Sequence, residues 1–187
     1  VALVGATGSA GSRVCRELLE RGHEVIGLAR SIDRLSPAPK LRAVQCDAND
    51  AGALAAALRG CDAVVCATKA KETNTQGLID AVRASGVKRL VIIGGAGSLM
   101  LPDGTLEMNS PKFPAFVKPE SEAGARFLGQ LQAVRDLDWT YLSPSRFFNP
   151  GERTGQFRLG TDALLMGADG TSAISQEDYA IALVNEL

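Results

Sequence analysis

The chain has 187 residues, 45% hydrophobic and 22% charged, a balance that suits one globular domain with one sizeable core and excludes disorder or a membrane span as its class. Twenty Lys and Arg stand against 21 Asp and Glu for a net charge of −1, and no basic run is interleaved with aromatics, so nucleic acid is not an implied partner. Cys15, Cys46, Cys61 and Cys66 form no CxxC pair and lie in strand-like or helix-like stretches, which reads as reduced thiols of a cytoplasmic protein and not as a disulfide framework or a zinc site.

Residues 1–4 form an apolar strand that ends at Gly5; since residue 1 already lies inside it, no signal peptide is visible and an initiating Met is expected upstream. Val14, Leu18 and Leu19 then repeat at helical spacing until Gly22. Strands are predicted at 24–29, 41–45, 62–67, 89–93 and 139–142, and helices at 51–58, 75–84 and 120–134, with Gly86 closing the second of these helices. Strands with little polar alternation, separated by amphipathic helices, indicate a parallel sheet covered on both faces. Right-handed crossovers then favour a single doubly wound α/β Rossmann domain, with strand order 3-2-1-4-5-6. Residues 151–187 are expected to form a small segment on the substrate side. Within it, 151–170 is rich in Gly, Asp and Thr with apolar pieces such as 163–166, predicting a small β excursion. Ser175 as N-cap and Asp178 in the first turn precede a last helix over 179–187. His23, between the first helix and second strand, falls at the far end of the sheet and is assigned a structural role.

The first turn carries the chemistry. In Gly5-Ala6-Thr7-Gly8-Ser9-Ala10-Gly11-Ser12-Arg13, glycines stand first, fourth and seventh, directly after a strand and at the opening of a helix. Gly5 permits the tight turn, Gly8 lets backbone approach a pyrophosphate, and Gly11 lets the helix pack near the strand. Free N–H groups at the helix start, with the helix dipole, favour an anion. Where NAD-preferring folds place an acid to bond the ribose 2′-hydroxyl, this chain has Ala29-Arg30-Ser31, and Arg30 is suited to a 2′-phosphate, with Arg34 and Arg13 placed to assist. NADP is therefore the favoured cofactor and NAD the alternative. Ala67 and Thr68, at the carboxyl end of the fourth strand, are expected beside the middle of the cofactor.

The GATGxxG spacing resembles the extended and atypical branches of the short-chain dehydrogenase/reductase superfamily. The stretches 78–82, 86–91, 94–98, 142–148 and 175–180 extend that likeness over nearly the whole chain, toward the atypical group that holds NmrA-like proteins, biliverdin reductase B-like flavin reductases and bacterial proteins provisionally labelled NADH-flavin reductases. The resemblance implies that Gly5, Thr7, Gly8, Ser9, Ala10 and Gly11 hold the pyrophosphate. It further implies that Asp47 and Ala48 flank adenine, that Ala67 and Thr68 flank the ribose, and that Ser143 and Pro144 pack on the nicotinamide, with Gly94 a further cofactor-binding residue. Phe113, Phe116, Phe147 and Phe148 would form an apolar wall for a flat ring. The superfamily's usual acid is a Tyr with a Lys four residues later, but Tyr141 and Tyr179 lack that Lys, and Val117 stands before Lys118 where relatives often carry Tyr. Ser98, beyond the fifth strand, and Lys118 are left as the catalytic candidates. The expected activity is hydride transfer from NAD(P)H to a flavin- or quinone-like acceptor, which needs no strong neighbouring acid. A non-catalytic dinucleotide-sensing regulator and a sugar-nucleotide epimerase or dehydratase are the alternatives. No membrane partner is expected, and oligomeric state is left open.

Overall fold

A computed structural model describes residues 1–187. Six parallel strands form one sheet: β1 (Ala2–Val4), β2 (Val25–Ala29), β3 (Leu41–Gln45), β4 (Ala63–Cys66), β5 (Arg89–Ile93) and β6 (Asp138–Leu142). Their order, β3-β2-β1-β4-β5-β6, is the doubly wound order expected from the β/α alternation. The helices are α1 (Ser9–Glu20), α2 (Ala51–Leu58), α3 (Thr75–Ser85), α4 (Lys118–Gln132) and α5 (Gln176–Val184).

Alternation along each strand divides the core in two. Ala2, Val4, Leu28, Val64, Cys66, Leu90 and Ile92 face one layer with Leu54 of α2, Leu78 of α3 and Phe127 of α4. Leu3, Val25, Val65 and Val91 face the other, with Val14, Cys15 and Leu18 of α1 and Tyr179, Ala180 and Leu183 of α5. Both faces are covered, which is why the strands read as apolar runs. All four cysteines are free, with Cys15, Cys46 and Cys66 buried. No helix is long and apolar enough to cross a membrane.

Three expectations are corrected. Helix α4 starts at Lys118, because Pro119 is accepted in a first turn whose N–H groups need no helical partner. The β excursion lies outside 151–170: β7 (Phe147–Asn149) and β8 (Ala173–Ser175) pair in parallel on either side of it, and Ala163 contributes one isolated bridge to Met100. The glycines of that stretch, Gly155 and Gly170 with φ of 72° and 76°, break the run that a ladder would need. Helix α5 starts at Gln176, directly after its N-cap Ser175, whose hydroxyl accepts from Asp178 N at 2.9 Å.

What holds the excursion is polar. Glu107, 3% exposed, accepts two bonds from Arg146 at 2.7 and 2.9 Å. Glu17, also 3% exposed, accepts from Arg21 at 2.7 Å and from Arg153 at 2.9 Å. Asp178 accepts from Thr154 N, the Thr154 hydroxyl and Gly155 N at 2.7, 2.6 and 2.8 Å.

Candidate functional site

The site is built on the turn between β1 and α1. Gly5 takes a φ of 86° and donates to Leu28 O, and a side chain there would put its Cβ 2.8 Å from Ala67 O. A Cβ on Gly11 would fall 2.2 Å from Gly5 O, so the helix rests directly on the turn. Gly8 is the N-cap of α1, and with no side chain it makes no capping bond. The amides of Thr7, Ser9, Ala10 and Gly11 therefore meet no protein acceptor, and the first turn of α1 holds no carboxylate. Such a set of convergent donors fits a linked pair of phosphates, the group that sequence reasoning places here.

The ends of the other strands stand around this turn. Arg30 follows β2, 72% exposed, with its guanidinium 3.5 Å from Glu72. Arg34 is exposed on the same loop. Arg13 does not assist them: it donates to Glu177 and to Ser9 O, both at 3.0 Å, because α1 packs against α5. Asp47 spends one carboxylate oxygen on Asn49 N at 2.9 Å, capping its own turn, while Ala48 is half-buried beside it. The Thr68 and Thr73 hydroxyl oxygens lie 2.9 Å apart, and Ala67 N is tied to Val4 O.

Beyond β5 and β6 the two predicted nicotinamide-side segments come together. Leu142 O accepts from Gly94 N at 2.7 Å and from the Tyr179 hydroxyl at 2.5 Å, fixing where Ser143 and the buried Pro144 emerge. Ser98, Ser143 and Pro144 line one cleft of about 400 Å³ that follows the outer edge of β6 as far as Glu186. The Ser98 hydroxyl donates to Gly95 O at 3.1 Å, leaving its oxygen free to accept. Lys118 is exposed in the first turn of α4, one turn before Ser121, and Ser121 packs so closely on Gly97 that a Cβ there would lie 2.5 Å from it. A larger cavity, about 880 Å³, lies within the excursion and shares Ser145, Arg158, Leu165 and Ile174 with the first; none of the predicted cofactor residues lines it.

The four phenylalanines do not form one wall. Phe148 sits edge-on to Tyr179 with ring centroids 4.7 Å apart, as part of the core. Phe116 is 86% exposed, and Phe147 instead lines the larger cavity together with Phe157. Neither tyrosine is a free acid. Burial pushes Tyr141 up to about 12 and its hydroxyl donates to Gly124 O at 3.1 Å. Burial raises Tyr179 well above its ordinary value.

Several supporting residues escape sequence reasoning. The Ser9 hydroxyl donates to Gln176 at 2.8 Å, and Gln176 donates to Phe148 O at 3.3 Å, tying the glycine turn to β7. Asn49 donates to Glu72 O at 3.0 Å, and Glu120 accepts from Ala70 N at 2.6 Å. Each pairing spans 23 residues or more, and no local pattern signals it.

A family model described as NAD(P)H-binding matches residues 5–187. A Burkholderia pseudomallei protein, provisionally named an exported protein, is 41% identical, with 99% of this chain and 91% of that one covered at a TM-score of 0.88. A Bacteroides thetaiotaomicron protein, provisionally named an epimerase, is 34% identical over 99% and 88% of the two chains with a TM-score of 0.94. A Streptococcus pneumoniae protein, provisionally named an NADH-flavin reductase, is 30% identical over 99% and 90%, with a TM-score of 0.84.

Proposed function

The chain belongs to the NAD(P)H-binding family, and from that premise we propose that it is a reductase of the atypical short-chain dehydrogenase/reductase group that takes hydride from NADPH and passes it to a flat, flavin- or quinone-like acceptor. The open amides of Thr7, Ser9, Ala10 and Gly11 bind the pyrophosphate, and Arg30, with Arg34 nearby, engages the 2′-phosphate. Asp47 and Ala48 face adenine, while Ala67 and Thr68 face the ribose. Gly94, Ser143 and Pro144, held by the shared Leu142 carbonyl, orient the nicotinamide end. When bound, the reduced nicotinamide supplies the hydride. Ser98 offers its oxygen, and Lys118 its ammonium, to the polar edge of the acceptor, whose rings lie in the cleft that Ser98 shares with Ser143.

The observation that carries the choice of acceptor is the state of the two tyrosines: both hydroxyls are committed to backbone carbonyls, so the chain offers no phenol to protonate an alkoxide. Reduction of an isoalloxazine or quinone tolerates this, because water completes the protonation and orientation does most of the work. The same observation speaks against the epimerase chemistry named for the Bacteroides relative. Unpaired cysteines suit a reducing compartment such as the cytoplasm.

Stopped-flow mixing of the protein and NADPH with FMN, riboflavin or a quinone tests the reading. Acceptor-dependent loss of the reduced-nicotinamide absorbance is expected. Tight NADPH binding without turnover of any acceptor would favour the second reading, a sensor that binds the dinucleotide and does not consume it, for which the lack of a free acid is also the support.

A further inference from the structure

Strand order places β1 between β2 and β4, so the loops leaving β2 and β4 stand on either side of the glycine turn that leaves β1. One ion pair crosses that gap. Arg30, directly after β2, lies 3.5 Å from a carboxylate oxygen of Glu72, which sits in the short 3-10 turn after β4; Lys69 lies 3.6 Å from the other oxygen. The turn that presents Glu72 is anchored from three directions. Glu120 of α4 accepts from Ala70 N and Lys71 N at 2.6 and 3.4 Å, Asn49 beyond β3 donates to Glu72 O at 3.0 Å, and the Thr73 hydroxyl donates to Lys69 O at 2.9 Å. On the opposite side, Gln45 holds Arg30 O at 3.0 Å. Both charged ends remain in reach of a ligand, with Arg30 72% and Glu72 44% exposed.

We propose that Glu72 sets the discrimination between NADPH and NADH, supplying from β4 the acid that is missing at the end of β2. This rests on the dinucleotide reading above. A 2′-phosphate must displace the Glu72 carboxylate from the Arg30 guanidinium, and the displaced carboxylate then lies beside a dianion, which lowers the gain from the new charge-assisted bonds. A 2′-hydroxyl meets no such conflict, since it donates to the same carboxylate as it does to the acid of NAD-preferring folds. Arg30 and Glu72 therefore pull in opposite directions, and the intact pair keeps the chain tolerant of both dinucleotides.

Isothermal calorimetry on Glu72→Gln tests this, with NADPH against NADH and, for the adenosine half alone, 2′,5′-ADP against 5′-AMP. The variant is expected to bind the two 2′-phosphorylated ligands about three- to tenfold more tightly, with no gain for NADH or 5′-AMP. The gain shrinks in an Arg30→Ala background, where there is no guanidinium to compete for. An unchanged thermal midpoint checks that the fold is intact, as expected for an exposed side chain. If Glu72→Gln moves both ligand classes equally, or neither, while the wild-type chain still binds the dinucleotides, the role of Glu72 is overturned and the cofactor reading stands. A wild-type chain that binds none of the four ligands would overturn both.

Discussion

The turn at residues 5–11 and the excursion at 145–175 are both joined to the first residue of α1 and yet are built by opposite means. The turn is shaped by backbone alone: three small residues at fixed spacing, one at positive φ, with a carbonyl 2.2 Å from where the side chain of Gly11 would begin. The excursion has two strands of three residues each, and its ties to the scaffold include three buried carboxylates, Glu17, Glu107 and Asp178. Steric necessity fixes the first within seven residues of chain. Pairing across 23 to 136 residues fixes the second, so it tolerates change in its own sequence but depends on distant partners.

Gly11→Ala probes the turn and is expected to have the largest effect. The added Cβ meets backbone, which cannot rotate away, so a loss of about 3 kcal/mol is expected in urea unfolding, together with loss of NADPH binding. A stable, cofactor-binding Gly11→Ala would remove the steric half of the contrast. Glu107→Ala probes the excursion. Losing both bonds to Arg146 should cost about 2 kcal/mol, and limited proteolysis should cut within 145–170 while the sheet persists. Cleavage spread evenly over the chain would mean that the two regions are one cooperative unit.

Acidification sharpens the contrast without mutation. The hydrogen bond from Arg153, helped by Arg21, outweighs burial and holds Glu17 below its ordinary range; burial would raise Asp178, but the Thr154 hydroxyl and the Gly155 and Thr154 amides more than offset it. Both folded values lie below the unfolded ones, so the stabilisation is complete above the ordinary carboxylate range and is lost as pH falls through the depressed values. Protease protection of the excursion should fail below about pH 4, ahead of the far-ultraviolet signal of the sheet and helices. The smallest effect is expected for Tyr141→Phe. It removes one bond to Gly124 O, costing about 1 kcal/mol, and should leave turnover within about twofold; a large fall in turnover would make that hydroxyl the missing acid.

The sheet was legible because its information is local. Leu3, Val65 and Val91 alternate with residues facing the other layer, and Gly22 and Gly86 stop their helices at positive φ, so periodicity and punctuation suffice for order and layers. The glycine turn was legible for the same reason. Arg13 was not, since a helical arginine near a phosphate turn has the same sequence appearance whether it reaches for ligand or, as here, for Glu177. Phe148 beside Phe147 illustrates the limit in a strand: neighbours point to opposite faces, and register alone decides that one meets Tyr179 and the other a cavity. The Arg30–Glu72 contact crosses two loops joined to non-adjacent strands, which no spacing rule reaches.

The placement of the thiols gives the molecule its own clocks. Cys15 is sealed under α1 and Cys66 within β4 against the opposite layer, and burial pushes both up, so neither forms the thiolate that alkylating reagents seek while its layer is closed. Labelling of Cys15 thus times the release of α1 and α5 from one side of the sheet, and labelling of Cys66 times the release of α2, α3 and α4 from the other. Half-buried Cys61 serves as the fast reference, and the chain reports, with no introduced probe, which side of its sheet lets go first.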